Sequence, residues 1–270
     1  MKIRRGYADG RFGQMHYFEA AGSAGAERAP LYCLHATAYS GQTFAPIMHL
    51  LAEGRRVIAL DTPGYGGSDA PPAMVDLAQY AQALAEAIQA THRGSGPVDL
   101  FGYHTGAMLA VELAAQFPAL VRRIALIGVP FFEGTDKAIW RNRLVQEHAL
   151  GGSLDQFRHR WEYHVAYRPT GMPLTRAFDN FVDELRPWPR DWWAHKALFD
   201  YDARPRLVKV ACPVLVINLD IPLGPQSRAA AALIPGATMH DLPEVSVAPL
   251  DLGVGLIAPV LADFMDGYTP

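Results

Sequence analysis

Two short stretches near the amino terminus, Lys2–Tyr7 and Gln14–Phe18, alternate apolar and polar positions. They flank Asp9-Gly10, a pair suited to a tight turn, and so predict a β-hairpin. Apolar runs of buried-strand length follow at Leu31–Leu34, Val57–Leu60, Val98–Phe101, Ile124–Val129, Val214–Ile217 and Thr238–Leu242. Helical spacing separates most of them. It is clearest where Leu77, Tyr80, Ala81, Leu84 and Ile88 recur every three or four positions. A hairpin followed by strand–helix alternation predicts an α/β architecture, a mostly parallel sheet with helices on both faces.

From about Phe132 to Arg206 the alternation stops. No strand-like run occurs there, and helical stretches carry many aromatics, among them Trp140, Phe157, Trp161, Tyr163, Phe178, Phe181, Trp192 and Phe199. Pro169, Pro173, Pro187 and Pro189 punctuate the segment. This predicts a helical cap, 132–206, inserted into a core formed by 1–131 and 207–270. Most of the aromatics are expected to pack the cap, and some to face a pocket beneath it.

Half of the residues are apolar and 19% are charged, a globular balance. A net charge of −3 argues against a nucleic-acid partner, which needs a basic patch to displace counterions. The short basic clusters Arg4-Arg5 and Arg158 to Arg160 read as solvated surface. Cys33 and Cys212 both lie in apolar runs and read as structural thiols of a reducing compartment. The first residues carry positive charge without an apolar stretch behind them, and no run approaches the ~18 apolar residues that span a bilayer. A cytoplasmic protein without a membrane partner is expected. His159 and His164, with Glu162 between them, are a weak metal signal, and no G-x-G-x-x-G follows a strand. No cofactor is expected.

The candidate chemistry lies at Phe101-Gly102-Tyr103-His104-Thr105-Gly106, between an apolar strand and a helix starting near Thr105. Gly102 and Gly106 supply the small neighbours that a tight strand-to-helix turn needs. Such a turn pushes His104 out at the carboxyl end of the sheet, where the amides of the following helix favour negative charge. An imidazolium is disfavoured there, and a neutral imidazole suits a general base or a hydrogen-bond donor.

Together with Leu34-His35-Ala36-Thr37 after one strand, and Asp61-Thr62-Pro63-Gly64-Tyr65-Gly66-Gly67-Ser68-Asp69 after the next, this segment resembles the α/β-hydrolase superfamily. The resemblance is to the branch with a cap after the sixth strand and covers about residues 3 to 266. It implies an eight-stranded sheet and a nucleophile elbow in which His104 stands where serine belongs. It further implies an oxyanion hole made by the backbone amides of Thr37 and Thr105. The acid should follow Val214–Ile217, where Asp220 precedes the expected position and Ile221 and Pro222 occupy it. The histidine should fall in Ser246-Val247-Ala248-Pro249, where Val247 stands instead; His240, upstream, reads as a packed or surface residue. Ser40 and Ser246 have no histidine partner at the expected place and make poor nucleophiles.

The candidate catalytic residues are therefore His104, Thr105, Thr37 and Asp220. The candidate pocket residues are His35, Tyr39, Tyr103, Trp140, Trp161, His164, Trp192 and Val247. The expected function is an atypical enzyme on a small, apolar or aromatic carbonyl compound, as a lyase, isomerase, cyclase or unusual hydrolase. The alternative is a catalytically inactive small-molecule receptor, since the superfamily includes hormone receptors. A pure scaffold is the third class, and the pocket elements argue against it. The oligomeric state is left open.

Overall fold

The computed structural model describes residues 2–22, 28–148, 151 and 153–268. Among these, eight strands form one sheet in the order β1-β2-β4-β3-β5-β6-β7-β8. They are β1 Ile3–Gly10, β2 Gly13–Ala20, β3 Leu31–Leu34, β4 Val57–Leu60, β5 Val98–Tyr103, β6 Val121–Ile127, β7 Val214–Leu219 and β8 Thr238–Leu242. The β1–β2 and β2–β4 pairs are antiparallel and the remaining pairs parallel.

Because successive side chains in a strand point to opposite faces, each buried run feeds two cores. Tyr32, Leu34, Ile58 and Leu60 pack with α2 (Leu77–Thr91) and α3 (Thr105–Gln116). Leu31, Cys33, Val57 and Ala59 pack on the other face with α1 (Ala45–Leu51) and α11 (Val254–Asp266). The predicted stripe of α2 is buried throughout, and Asp76 caps the helix by accepting from Gln79 N while Gln79 answers to the Asp76 amide.

The hairpin turns one step later than Asp9-Gly10. Arg11 and Phe12 form the loop and Gly10 pairs with Gly13, whose φ of 114° is the left-handed conformation the reversal requires. The terminal helix is divided at Gly253, with α10 at Pro249–Leu252 and α11 running on through Pro259.

Between β6 and β7 the described chain holds helices only. They are α4 Gly134–Leu144, α5 Asp155–Trp161 running into a π-helical turn at Glu162–Ala166, α6 Leu174–Leu185, α7 Trp193–Asp200 and α8 Arg204–Leu207; α9 (Gly224–Ala231) follows β7. These helices are tied to the sheet and its loops by polar contacts. The Tyr65 hydroxyl donates to Asp191 O at 3.1 Å and accepts from Ala194 N at 3.0 Å. Ser40 donates its amide and hydroxyl to Asp183 at 2.9 and 2.8 Å. Tyr201 donates to Glu112 of α3. No described helix is long and apolar enough to cross a membrane.

Two glycines give opposite expectations. A Cβ on Gly106 would lie 1.9 Å from Leu34 O, backbone that cannot give way, whereas one on the exposed Gly255 of α11 meets nothing within 4 Å. Gly106→Ala is expected to lose about 3 kcal/mol or more, or to fail to fold, while Gly255→Ala gains about 0.5–1 kcal/mol. Urea unfolding of both variants checks the contrast.

Candidate functional site

His104 is the single residue between β5 and α3. Its φ of 51° and ψ of −116° are unfavourable for a residue with a side chain, a strain on the order of 1–3 kcal/mol. Its amide donates to Ile127 O at 3.0 Å and its carbonyl accepts from Ala107 N at 2.8 Å. Close packing completes the restraint. A Cβ on Gly102 would stand 2.5 Å from Ala107 Cα, so strand and helix meet at a distance that glycine alone permits.

The ring leans on a third glycine. A Cβ on Gly128 (φ 63°) would meet His104 Cδ2 at 2.6 Å, Nε2 at 2.8 Å and Ile221 Cδ1 at 3.2 Å. Tyr103 packs its ring beside the imidazole, with centroids 4.1 Å apart. Nε2 is shut off from solvent with no hydrogen-bond partner among the described residues. Burial, with a smaller contribution from His195, pushes the His104 pKa down to about 4.

His195 was not among the residues singled out from sequence. It lies on α7, and its ring hydrogen-bonds Leu144 O at the end of α4. Burial holds its pKa down at about 4, against the charge of Glu184 and the Leu144 carbonyl, which both raise it. No motif or spacing connects Trp192-Trp193-Ala194-His195 to the elbow, so the signal was absent until the cap was folded.

Thr105 is the first residue of α3, and neither its N–H nor that of Thr37 has an acceptor among the described residues. The contact of Gly106 with the Leu34 and His35 carbonyls sets the start of α3 against the segment leading to Thr37. His35, expected in the pocket, is only 1% exposed. Its Nε2 accepts from Thr62 N at 2.9 Å, so Nδ1 carries the proton donated to Ala36 O at 2.8 Å. Both nitrogens are used in holding the loop.

The other candidates divide into groups. Tyr39 meets His164 edge-to-face at 5.8 Å, with its hydroxyl 3.4 Å from Nε2. His164 is buried and hydrogen-bonded to Glu184. Burial would raise the Glu184 pKa, but His164 and Arg160 outweigh it and hold the carboxyl below its usual value. Trp140 stacks on Phe132 at 5.4 Å in a cluster that includes Phe199, Leu223 and Ile221 and so reaches the elbow from one side. Trp192 is half-buried at the start of α7. Trp161 packs edge-to-face on Phe178 and Phe181 and is 42% exposed. Val247 is 53% exposed, and Asp220 is exposed as well.

Ile221, not Asp220, is the residue that shares the space at Gly128 with the His104 ring, and Asp220 is exposed. Arg160 also departs from expectation. It is not solvated surface but bonds Glu184 at 3.2 Å and Asp191 at 2.8 Å over the Trp188 ring. His159 is exposed while His164 is buried, so the two do not share a site. The Ser40 hydroxyl is engaged with Asp183.

The two depressed imidazoles set a pH dependence. Folded His104 and His195 stay neutral down to about pH 4, whereas the unfolded chain takes up those protons near pH 6.5. Stability is expected to fall as pH drops from 6.5 toward 4. Asp183, pushed up to about 6 by burial, acts in the opposite direction over most of that range, from about pH 6 downward. Thermal midpoints of wild type and His104→Gln/His195→Gln between pH 4 and 7 check this, with a flatter profile expected for the double variant.

A family model described as the alpha/beta hydrolase fold matches residues 29–149. The (E)-2-((N-methylformamido)methylene)succinate hydrolase of Acinetobacter baylyi is 30% identical over 112 residues, 42% of this chain and only 40% of that relative. A pimeloyl-(acyl-carrier protein) methyl ester esterase of Chromobacterium violaceum is 26% identical over 232 residues, 80% of this chain and 86% of the relative. A hydrolase of known structure from Pseudomonas aeruginosa superposes with a TM-score of 0.80 at 18% identity, covering 98% of each chain. The sheet order, the strained turn after β5 and these matches lead to one conclusion: the chain is an α/β-hydrolase-fold protein with hydrolases among its relatives.

Proposed function

We propose that the protein is an enzyme acting on a small, apolar or aromatic carbonyl compound, with His104 as general base or neutral hydrogen-bond donor beside an oxyanion hole formed by the Thr37 and Thr105 amides. The observation that carries this reading is an imidazole without a hydrogen-bond partner, held neutral on a strained turn at a helix amino terminus. Strain of this kind persists only where surrounding structure enforces it, and it concentrates at functional sites. Two amides without acceptors on adjoining segments suit a developing oxyanion, since preorganised donors stabilise charge where water is excluded.

The residues at the expected acid and base positions, Ile221 and Val247, cannot exchange protons, which removes the ordinary serine mechanism. Proton transfer, carbon–carbon cleavage, isomerisation, cyclisation and water-activated hydrolysis all use one imidazole and an oxyanion site. The hydrolase relatives support the hydrolytic member of this set. One observation favours a second reading, a ligand-binding protein without turnover: the Nε2 of His104 lies against Gly128, shut off from solvent.

Hydrolysis of a panel of aryl and acyl esters by wild type, His104→Ala and His104→Ser, with intact-mass measurement, tests the proposal. His104→Ala is expected to lose about 100-fold or more of the wild-type rate, with no covalent adduct on the wild type. Turnover that survives in His104→Ala overturns the role of His104. Ligand binding without turnover in any variant supports the receptor reading.

A further inference from the structure

We infer that the cavity between α3, α4 and α7 is a binding site for a free α-amino acid with an apolar side chain. The inference goes beyond the reading of His104 and stands independently of it, because His104, Thr37 and Thr105 do not line this cavity.

The inner walls are apolar. Met108 of α3, Phe131 and Phe132 after β6, and Leu198 and Phe199 of α7 line a space of about 230 Å3. All of these side chains are buried. Phe132 stacks on Phe199 with centroids 5.5 Å apart, and α7 packs on both α3 and α4, so the space is held open by elements that meet side by side. Pockets for drug-sized ligands run to about 300–1,000 Å3, so the occupant here is smaller than those.

The outer rim carries charge, on Glu133, Lys137 and Asp202. Glu133 is committed, accepting from Arg204 Nε at 2.9 Å and from a second guanidinium nitrogen at 2.7 Å. Lys137 is not. It is half-buried, its ammonium donates to Tyr201 O at 3.0 Å, and no carboxylate pairs with it among the described residues. Its remaining N–H bonds therefore have no protein acceptor. Asp202 follows Tyr201 directly, is exposed, and has neither a hydrogen bond nor an ion pair among the described residues. An ammonium and a carboxylate thus stand on one rim, beside the same peptide, without pairing with each other.

That arrangement is complementary to a molecule bearing both charges on one carbon. The ligand carboxylate belongs on the α4 side. Gly134, the first residue of α4, lines the cavity, and Glu133 makes no capping hydrogen bond, so the helix start adds its partial positive charge to that of Lys137 one turn along. The ligand ammonium then falls to Asp202, and the apolar side chain to the buried walls. A plain amine would be opposed by Lys137, and a plain carboxylate would leave Asp202 without a cation. The zwitterion satisfies both.

The test titrates L-phenylalanine, 3-phenylpropionate and phenethylamine into the full chain by isothermal calorimetry. L-Phenylalanine is expected to bind with a Kd of about 1 mM or tighter. Phenethylamine, which lacks the carboxylate, is expected to bind about tenfold more weakly, and 3-phenylpropionate, which lacks the ammonium, about threefold, because an ion pair with an exposed partner is worth less. Lys137→Gln keeps a donor for Tyr201 O. It is expected to lower L-phenylalanine affinity about tenfold and to abolish the advantage over phenethylamine, while Asp202→Asn lowers affinity about threefold. His104→Ala is expected to bind L-phenylalanine within about twofold of wild type. The ligand series is read on the wild type and is independent of how the variants fold. Failure of L-phenylalanine to saturate the chain by about 20 mM overturns the inference. So does affinity in Lys137→Gln within about twofold of wild type. 3-Phenylpropionate binding as tightly as L-phenylalanine overturns the amino-acid assignment. Loss of binding in His104→Ala puts the ligand at the elbow and overturns the site.

Discussion

The buried carboxylate of Asp61 is the constraint on which the arrangement of the site depends. One oxygen accepts from Gly41 N at 2.7 Å, and the other from Gly67 N and His16 Nδ1, each at 2.8 Å. A Cβ at Gly66 would lie 2.1 Å from it, so the loop closes around the charge as tightly as glycine allows. Three segments distant in sequence are gathered at the carboxyl end of the sheet by one group. Leaving any of those donors unpaired in the interior costs about 1–3 kcal/mol. The same loops carry Ser40 and Tyr65, which bind Asp183 and the start of α7. The position of the helices between β6 and β7 therefore depends on a buried carboxylate of the sheet's own loops.

The cap itself is organised by charge as much as by its aromatics. Arg160, Glu184, His164 and Asp191 form a partly buried cluster, and each ion has a partner of opposite sign or a hydrogen bond. Pairing of this sort adds little net stability, because desolvation offsets the attraction. Its effect here is directional. It keeps Glu184 ionised beneath the cap and sets a negative charge near His195. At the opposite end of the sheet, Asp99 with Arg122 and Arg55 has the same paired design. It lies far from the elbow, which marks that cluster as structural.

At the elbow, three glycines and one strained histidine form a single device. Gly102 and Gly106 let β5 and α3 approach, and Gly128 leaves the volume that the imidazole fills. Any side chain at Gly128 would displace the ring. The enclosure that results explains why the ring is neutral: a cation there would lose its hydration and gain no counter-charge.

Much of this was determined by the sequence. The apolar runs and their alternation specify which strands are buried and which faces meet helices, because period-two and 3.6-residue patterns follow from local backbone geometry. Gly102, His104 and Gly106 mark the tight turn between β5 and α3 by their order alone, and the aromatic-rich, strand-free segment marks the helices between β6 and β7. Other features were decided only by tertiary structure. The hairpin turn moved to Arg11-Phe12, because the positive φ that closes it falls on Gly13. Arg160 became half-buried and paired, Asp220 became exposed, and His35 spent both nitrogens on backbone. Above all, Ser40 and Asp183 met in one hydrogen-bonded pair although they are distant in sequence. Burial, pairing and proximity between distant segments are properties of how the cap docks, and no local periodicity encodes them.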